Sequence, residues 1–189
     1  MLLYMVVTGI TPGPNNLMAL YLGAQYGLYG ARKFMIGSAC GFLLKLLLCG
    51  ALNMALATLV PSLLPYLKWL GAAYMLYLAV QMLLSGFREE AETEEKRGES
   101  TYTAGLMLQV VNMKSWVACL SIFSVYVAPH TTALPVIVGV SAVNTALMIL
   151  WTVLWGGFGS IFRRVYRTHR RVFSVILAAS LALCAITAL

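Results

Sequence analysis

The chain has 189 residues, 61% of them hydrophobic and only 10% charged, with a mean hydropathy of +0.85. A soluble domain carries about 25% charged residues, and a disordered chain is poor in apolar groups, so both classes are excluded. The net charge of +7 is unevenly laid out: all six acids, Glu89, Glu90, Glu92, Glu94, Glu95 and Glu99, fall in one window, and no carboxylate side chain occurs elsewhere.

A bilayer core about 30 Å thick needs about 20 apolar residues per helical span. The sequence predicts six such spans, at about 2–23, 35–58, 66–86, 103–127, 134–158 and 172–189. The uncharged run from Ser115 to Phe162 divides at Ala128-Pro129-His130-Thr131-Thr132-Ala133-Leu134-Pro135, a polar turn with two prolines. Continuous apolar runs do not alternate as barrel strands do, so the expected class is all-α. The N-terminus lacks a basic n-region and an A-x-A-like cleavage site, and reads as a retained helix.

Lys/Arg distribution sets the expected orientation. Arg32 and Lys33 lie in the first connection, Arg88, Lys96 and Arg97 in the third, and Arg163, Arg164, Arg167, Arg170 and Arg171 in the fifth. Only Lys68 lies on the opposite side. The first, third and fifth connections therefore face the cytoplasm and both termini face out. The basic fifth connection is a topology determinant touching anionic head groups, with no nucleic-acid partner implied. Residues 1–86 form a first three-helix half, 87–101 an acidic cytoplasmic linker, and 102–189 a second, inverted half.

Polar groups at membrane depth are tolerated only where protein or a watery cavity satisfies them, so they point to function. The first set is Thr11-Pro12-Gly13-Pro14-Asn15-Asn16, inside the first span. Each proline lacks an N–H and clashes with a carbonyl four residues back, so the helix breaks and frees carbonyls such as those of Gly9 and Ile10. Asn15 and Asn16 then open a second half-helix, whose free N–H groups suit a carboxylate. A packed proline kink is the plainer alternative.

In the second span, Gly37-x-x-x-Gly41 permits close helix approach. Lys45 lies about half-way through it with no acid to pair with, so it must contact carbonyls, amides, water or a bound anion. Asn53 continues the same stripe. In the third span Tyr74, Tyr77 and Gln81 share a face, and in the fifth Ser141, Asn144, Thr145 and Thr152 cluster; interhelical hydrogen bonds are the plainer reading of both groups. In the fourth span Gln109, Asn112 and Trp116 share one face of a continuous helix. Lys114 would lie about 200° from Asn112 on it, near the cytoplasmic end, where it either snorkels or serves a site.

Enzymatic chemistry has nothing to stand on. Cys40, Cys49, Cys119 and Cys184 form no C-x-x-C and no metal cluster, and read as buried free thiols. His130 and His169 lie in connections on opposite membrane faces with no acid to orient them. No cofactor motif and no metal constellation is present.

At these residues the sequence resembles the LysE/RhtB family of amino-acid exporters, six-helix proteins of bacterial cytoplasmic membranes. Pro12-Gly13-Pro14-Asn15 matches the family's P-G-P-[ND] signature, Gly37 and Gly41 its G-x-x-x-G, and Gly71-Ala72-Ala73-Tyr74-Met75-Leu76-Tyr77 its third-helix pattern. Tyr102, Gly105, Gln109, Asn112 and Lys114 fit its fourth-helix pattern, but Met113 replaces the family proline, which predicts a milder second break.

The resemblance implies secondary active export of amino acids or small derivatives, driven by the proton gradient. Matching interrupted segments in two inverted halves are also the sequence mark of such transporters. Half-helix N-termini and Lys45 would favour the substrate carboxylate, while freed carbonyls and Asn/Gln side chains would take the ammonium. Without an intramembrane acid, Lys45, Lys114 or the substrate would carry a coupled proton, and a strongly cationic substrate is disfavoured. The alternative is a non-transporting membrane scaffold or assembly partner, whose polar groups are only helix glue. A homodimer and a monomer are both compatible with the sequence.

Overall fold

The computed structural model describes residues 2–87 and 100–187, which are helical apart from short breaks and turns, without a strand among them. The acidic window expected as a linker lies outside the described residues. Helix α1 covers Leu2–Ile10, α2 Pro14–Ala51, α3 Asn53–Phe87, α4 Ser100–Val111 and α5 Met113–Ser121. A π-helical segment, Ile122–Val127, extends α5. Then come α6, Leu134–Ile161, the short α7, Arg163–Thr168, and α8, Arg170–Thr187.

Pro14–Ala51, Lys68–Phe87, Leu134–Ile161 and Arg170–Thr187 are long and apolar enough to cross a membrane, and the pair Tyr102–Val111 and Met113–Val127 makes a fifth candidate span, bent by 63°. Two expected boundaries therefore shift. The Arg32-Lys33 connection lies inside α2, and the second and third spans are joined through α3 with a break only at Leu52. Helix α2 is not straight: at 38 residues it would be about 57 Å long, and it turns at Gly27, where φ 75° and ψ 168° suit only glycine.

Helix α2 is the hub. Its two arms pack along α6 and α4, while α3 packs chiefly against α8. Small residues set these approaches. A Cβ on Gly37 or Gly105 would strike the backbone of Tyr102 or Phe34, and one on Gly23 or Gly159 would strike that of Gly156 or Leu20. The G-x-x-x-G stripe thus does what its spacing predicts. One buried apolar cluster joins α2, α3 and α8 around Phe34, Met82 and Leu181. A second joins α1, the far arm of α2, α5 and α6 around Leu46, Phe123 and Ile137.

The cysteines are free, but only Cys49 and Cys119 are buried. Cys40 is exposed, and Cys184 is half-buried at the edge of the apolar cluster that α8 shares with α2 and α3. Burial of all four thiols is therefore corrected.

Candidate functional site: two helix breaks around one cavity

The first break falls where the prolines put it. Helix α1 ends at Ile10, residues 11–13 are non-helical, and α2 starts at Pro14 with Gly13 extended and no side-chain cap. The freed carbonyls are met by side chains. Asn16 Nδ2 donates to the Gly9 carbonyl at 2.8 Å and to that of Thr11 at 3.1 Å.

The second break interrupts the fourth span at Asn112, which is non-helical with φ −77° and ψ 97°. It is not mild. The bend is 63° without the family proline, because Asn112 caps the following helix: the Ser115 N–H donates to its Oδ1 at 3.3 Å. Freed carbonyls are again taken by side chains. The Trp116 indole N–H donates to the Val110 carbonyl at 2.7 Å, and the Lys45 ammonium donates to the Gln109 carbonyl and to Ser115 Oγ.

The bend also overturns the phase argument that put Lys114 on the far side. Past Asn112 the helix axis changes direction, and Lys114 reaches back to the first break. Its Nζ donates to Thr11 Oγ1 at 2.6 Å, to the Thr11 carbonyl at 3.1 Å and to that of Pro12 at 3.4 Å. A side chain of one break thus covers the carbonyls of the other.

Between the breaks lies a cavity of about 100 Å³, several times the room one water molecule needs. The first break contributes Gly13, Pro14, Asn15 and Asn16 to its wall. The second contributes Gln109, Asn112 and Lys114, and α6 contributes Asn144. Asn15 is the joint between the two: its Nδ2 donates to Thr152 Oγ1 at 3.0 Å, and its Oδ1 accepts from Ser38 and, at 3.3 Å, from Gln109 Nε2. Gln109 Nε2 also donates to Ser38 Oγ at 3.2 Å, and its Oε1 accepts from Ser115 Oγ at 3.2 Å.

The other expected residues lie elsewhere. Thr11 and Pro12 stand just behind the wall under Lys114. Lys45 is 3% exposed and braces the second break from behind, 4.9 Å from the Trp116 ring centroid, without lining the cavity. Asn53 accepts from Ser124 Oγ at 2.9 Å, away from the cavity. Tyr74 donates to the Ala104 carbonyl at 3.3 Å, and the exposed Tyr77 stacks on it. Sequence reasoning missed Thr8, Phe42, Met148 and Trp151, all of which line the cavity. In an apolar chain nothing in their spacing separates a cavity wall from lipid-facing surface.

The family model for the LysE type translocator matches residues 6–189. The chain belongs to this family. It is a membrane transporter and not an enzyme. A cysteine/O-acetylserine efflux protein of Escherichia coli O157:H7 is 33% identical over 183 residues, covering 97% of this chain and 92% of the relative. Proteins of the same name from Escherichia coli K12 and Shigella sonnei are each 32% identical over the same spans. No solved structure matches.

Proposed function

We propose that this translocator exports small neutral amino acids of the cysteine and O-acetylserine kind from a bacterial cytoplasm, binding them between the two helix breaks. The observation that carries the reading is the meeting of the breaks: Lys114 from one holds the carbonyls of the other at the rim of a cavity whose mostly apolar wall carries the side-chain amides of Asn15, Asn16, Gln109, Asn112 and Asn144. Broken helices that converge within the membrane are how secondary transporters build a substrate site. The uncapped start of α2 and Lys114 favour the carboxylate; the end of α1 and the amide oxygens favour the ammonium. Lys45 acts one step back, by keeping the second break open.

Six spans in two inverted halves, with both termini outward, complete the proposal. The corner at Gly27 divides α2 into two spans, and α3 is long enough for the next crossing to be entered through it. In that orientation Met5, Ala118 and Ile122 put the cavity on the outer side. The glycine contacts of Gly23 and Gly37 then close the inner side. Export requires that seal to open in turn. Proton coupling would fall to Lys114 or the substrate amine, since no acid lies in the spans.

Purified protein in liposomes loaded with a labelled amino-acid panel tests this. Efflux of cysteine and O-acetylserine is expected, accelerated when the outside is made more acidic. No efflux of any amino acid from folded protein would leave the scaffold reading.

A further inference from the structure

Hydrogen bonding fixes which end of each side-chain amide in the cavity wall is left for a ligand. An amide nitrogen has two hydrogens to donate and its oxygen can only accept, so a carbonyl partner marks the nitrogen and an N–H partner the oxygen. Asn16 donates both hydrogens, to the Gly9 and Thr11 carbonyls, and Gln109 donates both, to Asn15 Oδ1 and Ser38 Oγ. Asn15 and Asn144 each donate one, to Thr152 Oγ1 and the Val140 carbonyl. Asn112 is the reverse case. Its Oδ1 accepts from the Ser115 N–H at 3.3 Å, and among the described residues its Nδ2 donates to nothing. Asn112 lines the cavity, and its nitrogen is not one of the buried side-chain atoms shut off without a partner.

The surroundings favour an anion at this donor. Asn112 is the N-cap of α5, and the start of a helix is its positive end. Lys114 lies two residues on and brings a full positive charge to the same wall. Its own hydrogens are engaged, however, by Thr11 Oγ1 and by the Thr11 and Pro12 carbonyls. It supplies potential and no free N–H. No carboxylate side chain occurs in residues 2–87 or 100–187 to oppose that potential.

We infer that Asn112 is the residue that reads the substrate carboxylate, through Nδ2, while Lys114 draws the anion in without bonding it. The inference rests on the cavity being the transport site. Asn112 then has two roles, capping α5 with its oxygen and selecting the carboxylate with its nitrogen, and substitution can separate them. Aspartate caps a helix as well as asparagine does, but puts a second oxygen where the NH2 stood, and that oxygen repels a carboxylate.

The experiment is binding to the purified protein of cysteine and of cysteine methyl ester, which keeps the ammonium and thiol but has no carboxylate. The intact protein is expected to prefer cysteine by about tenfold or more. Asn112→Asp is expected to hold its Tm and to bring that ratio to one or below. Asn112→Ser, which keeps a capping oxygen and adds no charge, should lower the ratio severalfold. A ratio near one in the intact protein overturns the inference. So does a ratio that the two variants leave unchanged, including an equal loss for both solutes, which a purely structural cap would give. Failure of the intact protein to bind cysteine, its ester or O-acetylserine would instead sink the transport site, and this inference with it.

Discussion

The two helix breaks reach the same end by different chemistry. At the first, covalent geometry does the work: Pro12 and Pro14 cannot continue a helix, and Gly13 lies extended between them. At the second no proline is present, and side chains hold the chain open: Asn112 caps the new helix, Trp116 and Lys45 take the stranded carbonyls, and the bend still reaches 63°. The first break is written into the backbone, whereas the second depends on its partners. The second break is therefore the one that mutation can close.

Lys45→Met should have the largest effect. It takes the ammonium from the Gln109 carbonyl and Ser115 Oγ inside the bundle, where hydrogen bonds to a charged group contribute about 1.5–3 kcal/mol. Transport is expected to fall tenfold or more in liposome efflux, with the protein still folded by thermal unfolding in detergent. Unchanged efflux would mean that the break holds without its ammonium. Asn112→Ala should cost less. It removes one cap, about 1 kcal/mol, read as a lowered Tm, and an unshifted Tm would deny the cap its role.

Met113→Pro should have the smallest effect and sharpens the comparison from the other side. Met113 is the first residue of α5, where proline is tolerated, and Asn112 already has the extended backbone that a following proline demands. Proline there is expected to change stability by less than about 1 kcal/mol. It should also make the break less dependent on its side chains, so that Met113→Pro restores part of what Asn112→Ala loses. A strong destabilisation by Met113→Pro alone would show that the second break is not a proline-compatible one.

The first break was legible in the sequence because its cause is local: Pro12-Gly13-Pro14 forbids a helix whatever surrounds it. The second was only half legible. Gln109, Asn112 and Lys114 could be singled out as polar groups at membrane depth, but their phases were reckoned on a straight helix, and the bend at Asn112 carries Lys114 to Thr11. Lys45 was expected to meet carbonyls, amides, water or a bound anion, and it meets the Gln109 carbonyl and Ser115 Oγ. That these contacts form a brace behind the cavity follows from packing between α2 and α4, which no local pattern encodes. Trp151 was invisible for the same reason: only packing brings it to the cavity wall. The charges at Arg32-Lys33 and Lys68 suggested connections that the structure moves: the corner lies at Gly27, and α3 runs unbroken through Lys68.

The central claim is that the cavity between the breaks holds the transported solute. Ala118 lines that cavity with a side chain small enough to replace. In a background with Cys40, Cys49, Cys119 and Cys184 changed to serine or alanine, Ala118→Cys can be labelled by a charged thiol reagent added outside liposomes that still transport. The account predicts that labelling proceeds and is slowed severalfold by O-acetylserine. Labelling that a transported amino acid leaves unchanged, in liposomes shown to export it, would contradict it.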